Sequence, residues 1–163
     1  MLLGLARQRA HPRIVKETPR PGQTGGVRIV TLGPGDHELL ARALAAFRGP
    51  DDLPDARFLD DASAFAVVAL DDGEAVLGWA WGHELGRPDG LRRFVLEELE
   101  TEEAARREGV GRLLLDAVVA HARERGLTAM WLYTHAGTDT AARLYPAAGG
   151  EPGPKQGFWW VFE

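Results

Sequence analysis

Apolar and polar positions alternate through "VRIVTL", Val27 to Leu32, a period of two that predicts a strand. The period then lengthens. In "GPGDHELLARALAAFRGP" the residues Leu39, Leu40, Ala43, Leu44 and Phe47 share one helical face, with Asp36 at the N-cap and Gly49-Pro50 as the stop. "DDLPDARFLDDAS" predicts a short helix or a turn-rich connection. "AFAVVAL", Ala64 to Leu70, "DDGE" and "AVLGWAWGHEL" read as strand, hairpin turn and return strand. "LRRFVLEELET", Leu91 to Thr101, is a further strand, and "VGRLLLDAVVAHARER" sets Val110, Leu113, Leu114, Ala117, Val118 and His121 at helical spacing before Gly126. "LTAMWLYTH" predicts a strand, "TDTAARLYPAAGG" a short helix ended by glycines, and "GFWWVFE" a terminal strand. The order β-α-α-β-β-β-α-β-α-β is that of a mixed α/β or α+β domain without internal repeats.

Composition narrows this frame. The chain of 163 residues suits one domain with a real core, and no apolar run is long enough to cross a membrane. Cysteine is absent, which excludes disulfides, thiolate metal sites and an acyl-cysteine intermediate. For a transferase, the expectation is then that both substrates meet in one complex. The net charge of −5 is unevenly spread. Residues 1–26 carry Arg7, Arg9, Arg13, Lys16 and Arg20 against Glu17, so the remaining chain is strongly acidic. We read residues 1–26 as a flexible basic tail and 27–163 as a single domain. An acidic body favours a cationic partner over nucleic acid.

Chemistry concentrates at "RREGVGR", Arg106 to Arg112, where a strand pattern gives way to a helix pattern. A helix start presents unpaired N–H groups and the positive end of the dipole, and glycines let an anion approach the backbone. A P-loop needs a Lys-Ser/Thr pair after its last glycine, where this turn has Arg112-Leu113. A dinucleotide fingerprint needs a third glycine and an early βαβ unit, and neither is present.

The turn does fit R-x-x-G-x-G, read as Arg106, Gly109 and Gly111, and so resembles the acetyl-CoA pyrophosphate loop of the GNAT N-acetyltransferases. The element order from Val27 to Glu163 is similar to that family's, and "AARLYPAAGG" resembles its A-x-x-L-Y-x-x-x-G helix. Within the family the chain is most similar to the type-one aminoglycoside 3-N-acetyltransferases, with Glu98 of "EELET" at the position of their strand aspartate. The resemblance implies a mostly antiparallel sheet of six to seven strands flanked by about four helices. It also implies that the fourth and fifth body strands splay after Leu99 and Tyr133 to form the acetyl-CoA cleft.

The same resemblance implies the site. Backbone groups of Leu99 and Thr101 would pair with the pantetheine arm, Glu100 between them is a further cofactor-binding candidate, and Arg106, Arg107, Glu108, Gly109, Val110, Gly111 and Arg112 would hold the pyrophosphate. Asp139 and Ala142 of the tyrosine helix are further cofactor candidates. Glu98, and after it Glu97, is the candidate base, although strict alternation puts Phe94, Leu96, Glu98 and Glu100 on one face and Glu97 on the other. A bulge would change that parity. Tyr145 is the candidate general acid, since phenol and thiol pKa values are close enough for proton transfer. Pro146 directly after it interrupts helical hydrogen bonding.

His83, His121 and His135 do not have metal-ligand spacing, and His121 falls on an apolar helix face, so no metal is expected. His135, at the end of its strand, is a candidate substrate contact. Trp79 and Trp81 share one strand face, and Trp159 and Trp160 alternate near the end. Fewer acids and more tryptophans than in the drug-modifying relatives point toward a flatter, less cationic acceptor. An aminoglycoside, another small amine, a peptide N-terminus and a non-catalytic acetyl-CoA-binding module all stay open. The resemblance further implies a cytoplasmic homodimer, with no membrane or nucleic-acid partner.

Overall fold

The computed structural model describes residues 15–19, 26–134 and 139–153. The chain divides into two compact units, Met1–Tyr133 and Thr134–Glu163. The first unit carries a sheet of strands in sequential order: β1 (Val15–Pro19), β2 (Gly26–Thr31), β3 (Ala64–Leu70), β4 (Val76–Gly86), β5 (Arg92–Thr101) and β6 (Ala129–Leu132). Every neighbouring pair is antiparallel except β5 and β6, which run parallel. Strand β1 lies inside the stretch expected as a tail, and Val15 to Pro19 pair with Val30 to Gly26. The expected terminal strand "GFWWVFE" lies outside the described residues.

Three α-helices are found among the described residues, one fewer than expected: α1 (His37–Phe47), α2 (Val110–Glu124) and α3 (Asp139–Ala147). The difference lies at residues 51–63, which form turns and a single 3-10 turn at Phe58–Asp60. Two aspartates there take backbone donors that a helix would need. Asp55 Oδ1 accepts the Arg57 N–H at 2.9 Å, and Asp61 Oδ1 accepts the Ser63 N–H at 2.8 Å.

Helix α1 buries Leu40 and Ala43, with Leu39, Leu44 and Phe47 packed beside them against Val30, Val68, Leu70 and Trp79 of one sheet face. Asp36 occupies its N-cap position, but the carboxylate turns back to accept the Gly33 N–H at 3.0 Å rather than capping the helix. Helix α2 covers the opposite face with Val110, Leu114, Leu115, Val118, His121 and Ala122. Gly78 lets it approach, since a Cβ there would lie 2.9 Å from Leu114 Cδ1 and 2.8 Å from the Glu100 carbonyl oxygen. Gly126, at φ +66°, ends α2 while Leu127 N–H donates to Ala122 O at 2.9 Å, the paired bond of a Schellman stop.

His121, expected as packing, is buried and does more than fill space. Its ring stacks on Phe65 with centroids 3.7 Å apart, and its Nε2 lies 3.1 Å from Glu84 Oε1. Arg125 Nε donates to the same oxygen at 2.7 Å, and Arg92 pairs with the other. Burial pushes the Glu84 carboxyl up, but the Arg125 hydrogen bond and the charges of Arg125, Arg92 and His121 outweigh it and hold the group below the ordinary value.

Candidate functional site

The strand β5 changes character midway. Its register with β4 runs Phe94 to Glu84 and Leu96 to Gly82, then resumes at Glu98 to Trp81, so Glu97 is an extra residue opposite no partner. This is a β-bulge, and it reverses the alternation. Phe94 and Leu96 share their face with Gly82 and Glu84, toward α2. Glu98 and Glu100 instead share the face of Trp81 and Trp79, toward α1. The expectation that Phe94, Leu96, Glu98 and Glu100 line one face is therefore corrected. Gly82 permits the bulge: a Cβ there would overlap the Val95 carbonyl oxygen and come within 2.8 Å of the Phe94 ring.

On the α1 face Glu98 is nearly enclosed. Trp79 Nε1 donates to Oε1 at 2.9 Å, Trp81 Nε1 donates to Oε2 at 3.3 Å, and Arg48 pairs with Oε2. Arg48 NH1 also lies 3.6 Å from Glu100 Oε1. Burial first, then the neighbouring Glu98 charge, pushes the Glu100 carboxyl up, against the opposing pull of Arg48. Glu97 behaves differently. It is exposed and makes no side-chain hydrogen bond or ion pair among the described residues. Phe47 stacks on Trp79 at 5.9 Å, and Phe58 meets Trp81 and His83 edge-on at 5.8 and 5.7 Å.

The bulge also marks where β5 and β6 part. Their pairing ends at Leu96 and Leu132, earlier than the expected Leu99 and Tyr133. Beyond that point β5 continues to Thr101 with β4 on one side and, among the described residues, no strand on the other. Glu102 N–H donates to Leu77 O at 2.9 Å. The alternation of an antiparallel ladder then turns the backbone groups of Glu100 toward β4 and those of Leu99 and Thr101 toward the open edge. Leu99 and Thr101 thus keep their expected availability, and the Glu100 backbone is used in the ladder with β4. Its side chain is turned instead to the α1 face, an orientation that alternation within β5 does not predict.

The glycine turn follows a 3-10 turn at Glu103–Ala105. Arg106 N–H is used within that turn, donating to Glu103 O at 3.2 Å, so the exposed guanidinium is what Arg106 offers. Arg107 at φ +67° and Gly109 at φ +85° are both left-handed, with the half-buried Glu108 between them. Such alternation turns successive N–H groups inward as an anion-binding concavity. Gly109 is the N-cap of α2, and the first helical bond runs from Leu113 N–H to Gly109 O at 3.0 Å. The N–H groups of Val110 and Gly111 precede that bond at the positive end of a 15-residue helix. Arg112 is exposed and pairs with Asp116 at 2.8 Å.

In the second unit α3 runs through Pro146 rather than stopping before it. The proline sits in the last turn, where only the bond to residue 142 is lost. A Schellman stop then closes the helix, with Gly150 N–H donating to Tyr145 O and Gly149 N–H to Pro146 O, both at 2.9 Å. Tyr145 is half-buried, and burial pushes its phenol above the usual 10.0. Asp139 and Ala142 belong to α3, but their side chains fall outside the described residues, as do His135, Trp159 and Trp160.

The profile of the acetyltransferase (GNAT) family matches residues 37–149, spanning α1, the bulged strand, the glycine turn and α3. The chain belongs to the GNAT acetyltransferase family. Members use acetyl-CoA, and the left-handed backbone at Arg107 and Gly109 with the start of α2 offers donors of a kind that suit its diphosphate. Among the described residues no group of three His, Asp or Glu could hold a metal ion, and no helix is long and apolar enough to cross a membrane.

A mycothiol acetyltransferase of Propionibacterium freudenreichii subsp. shermanii is 32% identical over 83 residues, 51% of this chain and 26% of that protein. The chain thus matches about a quarter of the length of that curated relative. An aminoglycoside acetyltransferase from an uncultured soil metagenomic sample superposes with a TM-score of 0.74 at 17% identity, covering 84% of this chain and 97% of that one. A ribosomal-protein-alanine N-acetyltransferase of Brucella melitensis biovar Abortus 2308 gives 0.66 at 23% identity, covering 83% and 99%. The two structural likenesses carry the fold.

Proposed function

We propose that the protein transfers an acetyl group from acetyl-CoA directly to a primary amine in a ternary complex. The observation that carries this reading is the open edge of β5 beyond Leu96, which leads within ten residues into the Arg107–Gly111 cradle. Leu99 and Thr101 would pair with the pantetheine amides as an added strand does. The N–H groups at the start of α2, with the Arg106 and Arg107 side chains, would take the diphosphate.

Bound acetyl-CoA supplies the acetyl thioester, and the chain supplies binding, orientation and two proton transfers. The base role expected for Glu98 passes in this reading to Glu100. Glu98 already holds Arg48 and two indole N–H groups, whereas Glu100 is raised by burial and by Glu98, toward the range where a carboxylate accepts a proton effectively. Glu97 contributes through its place in the bulge, as the extra residue that turns Glu98 and Glu100 to the α1 face beside the point where β5 and β6 part. Tyr145 is the candidate donor of the proton to the departing thiolate, a role that rests on the family resemblance. Its raised pKa keeps the phenol protonated at neutral pH, as a donor must be.

An aminoglycoside acceptor is supported by the resemblance and needs acids to meet several ammonium groups. A different small amine is supported by Arg48, which already neutralises part of the acid pair. The cytoplasmic homodimer rests on the resemblance alone and is checked by sedimentation of the purified chain and by fractionation of the source cells.

Calorimetry of acetyl-CoA binding tests the reading. Gly109→Asp puts a carboxylate at the mouth of the cradle and strains the left-handed backbone at φ +85°, so binding should be lost, with circular dichroism and Tm reporting how much of the fold is kept. Unchanged affinity in that variant refutes the cradle. Binding by the wild type without release of thiol, over a panel of aminoglycosides, polyamines and peptides, refutes the enzyme.

A further inference from the structure

The acid pair on the α1 face is not an open anionic patch. Arg48 follows the last turn of α1, its N–H donating to Leu44 O at 2.8 Å, and Gly49 at φ +133° with Pro50 turns the chain away immediately after it. The backbone beneath this guanidinium is therefore fixed. The side chain reaches both Glu98 and Glu100, and it is 42% exposed where Glu98 is only 10% exposed. Glu98 does not need Arg48 to be satisfied, since two tryptophan N–H groups hold it from the sheet. Arg48 lies over the pair as a counter-charge on its solvent side, and the group of three carries one net negative charge when both acids are ionised.

Beside it stands an aromatic wall. Trp81, His83 and Phe58 meet edge to face at 5.7 to 5.9 Å, and all three residues are half-buried, so the cluster is packed yet not closed off from solvent. One negative charge next to aromatic faces suits one ammonium on a flat apolar body, and cation–π attraction adds to the fit. A polycation would bring its second ammonium against the guanidinium.

We infer that the acceptor is a singly charged amine on an aromatic body, and that Arg48 is the specificity-determining residue that excludes polycations. The inference rests on the acetyltransferase reading for the identity of the site, but its test does not. Binding of tryptamine and of spermidine is measured by calorimetry, without acetyl-CoA, for the wild type, Arg48→Gln and Arg48→Lys. Transfer to the same two amines is measured in parallel.

The wild type should bind tryptamine more tightly than spermidine. With a unit charge about 6 Å from the second ammonium and an effective dielectric constant of about 40, Arg48→Gln should move the ratio of dissociation constants about tenfold toward spermidine. Arg48→Lys keeps the charge and should keep the wild-type ratio, which separates lost charge from lost packing. Preference for spermidine by the wild type, an unmoved ratio in Arg48→Gln, or no binding of either amine overturns the inference. Failure to bind acetyl-CoA, with the amine ratio as expected, overturns the acetyltransferase reading and leaves the role of Arg48 standing.

Discussion

Replacing Gly82 with alanine tests whether the bulge is held in place by steric necessity. The added methyl would overlap the Val95 carbonyl oxygen and lie 2.8 and 2.9 Å from Phe94 Cε1 and Cζ. Phe94 is fully buried, so its ring has no free direction, and the other obstacle is backbone. The β4 and β5 strands must separate locally. Overpacking of this kind costs about 1–3 kcal/mol, and one or two weakened ladder bonds add about 1 kcal/mol each, for roughly 3 kcal/mol or more in total. Against a typical stability of about 5–15 kcal/mol this is a large fraction, worth a fall in Tm of roughly 6–12 °C in a chain of this size. Urea unfolding, followed by the fluorescence of Trp79 and Trp81 and by far-ultraviolet circular dichroism, gives the number. Gly86→Ala is the control on the same strand, where a Cβ meets nothing within 4 Å, and its effect should stay within about 0.5 kcal/mol. A loss below about 1 kcal/mol in Gly82→Ala would refute the argument that the Gly82 contacts set the register at Glu97.

The other expected outcomes follow from the charged groups. Glu84 is held below its ordinary value of 4.5, so its contribution to stability is full above that pH and is lost as pH falls through the lower folded value. Glu84→Gln should cost about 3 kcal/mol at pH 7 by leaving Arg125, Arg92 and His121 without their carboxylate, and much less at pH 3; equal losses in urea at both pH values would refute this. Glu100→Gln should lower kcat by roughly 10²-fold or more and remove an acid limb lying above pH 4.5 in the wild-type profile, whereas a limb that survives assigns the proton elsewhere. Tyr145→Phe should slow turnover by a similar factor, about 10²-fold, with acetyl-CoA affinity unchanged, and loss of affinity in calorimetry would instead make Tyr145 a binding residue.

Much of this arrangement could be read from the sequence. The faces of α1 and α2, the hairpin at "DDGE" and the glycine turn follow from local periodicity and turn chemistry, which one chain segment carries by itself. The left-handed Gly109 at the start of α2 is what R-x-x-G-x-G implies. The misses share a different origin. Residues 51–63 lost their helix to Asx contacts whose strength does not show in a hydrophobic pattern. The orientation of Glu98 and Glu100 depends on one extra residue in a pairing between strands, and alternation within β5 contains no sign of it. The sign that did exist was Gly82, across the ladder on β4, where a strand interior tolerates no side chain.

That dependence links the two halves of the proposed site. Without the bulge, Glu98 and Glu100 would follow Phe94 and Leu96 onto the α2 face, where Leu114 and Val118 offer no donor. With it, the same residue that turns the acids toward Arg48 and the tryptophans also ends the pairing of β5 with β6. In the proposed reading, one insertion opens an edge for an acyl carrier and presents carboxylates to an amine from the other face of the strand. A variant that straightens β5 should lose both properties together. Gly82→Ala, where it remains folded, should therefore weaken acetyl-CoA binding and bring down tryptamine affinity in parallel, although Gly82 touches neither ligand. Loss of one affinity with retention of the other would show that the edge and the acid pair are positioned independently, and would detach the role of the bulge from the proposed chemistry.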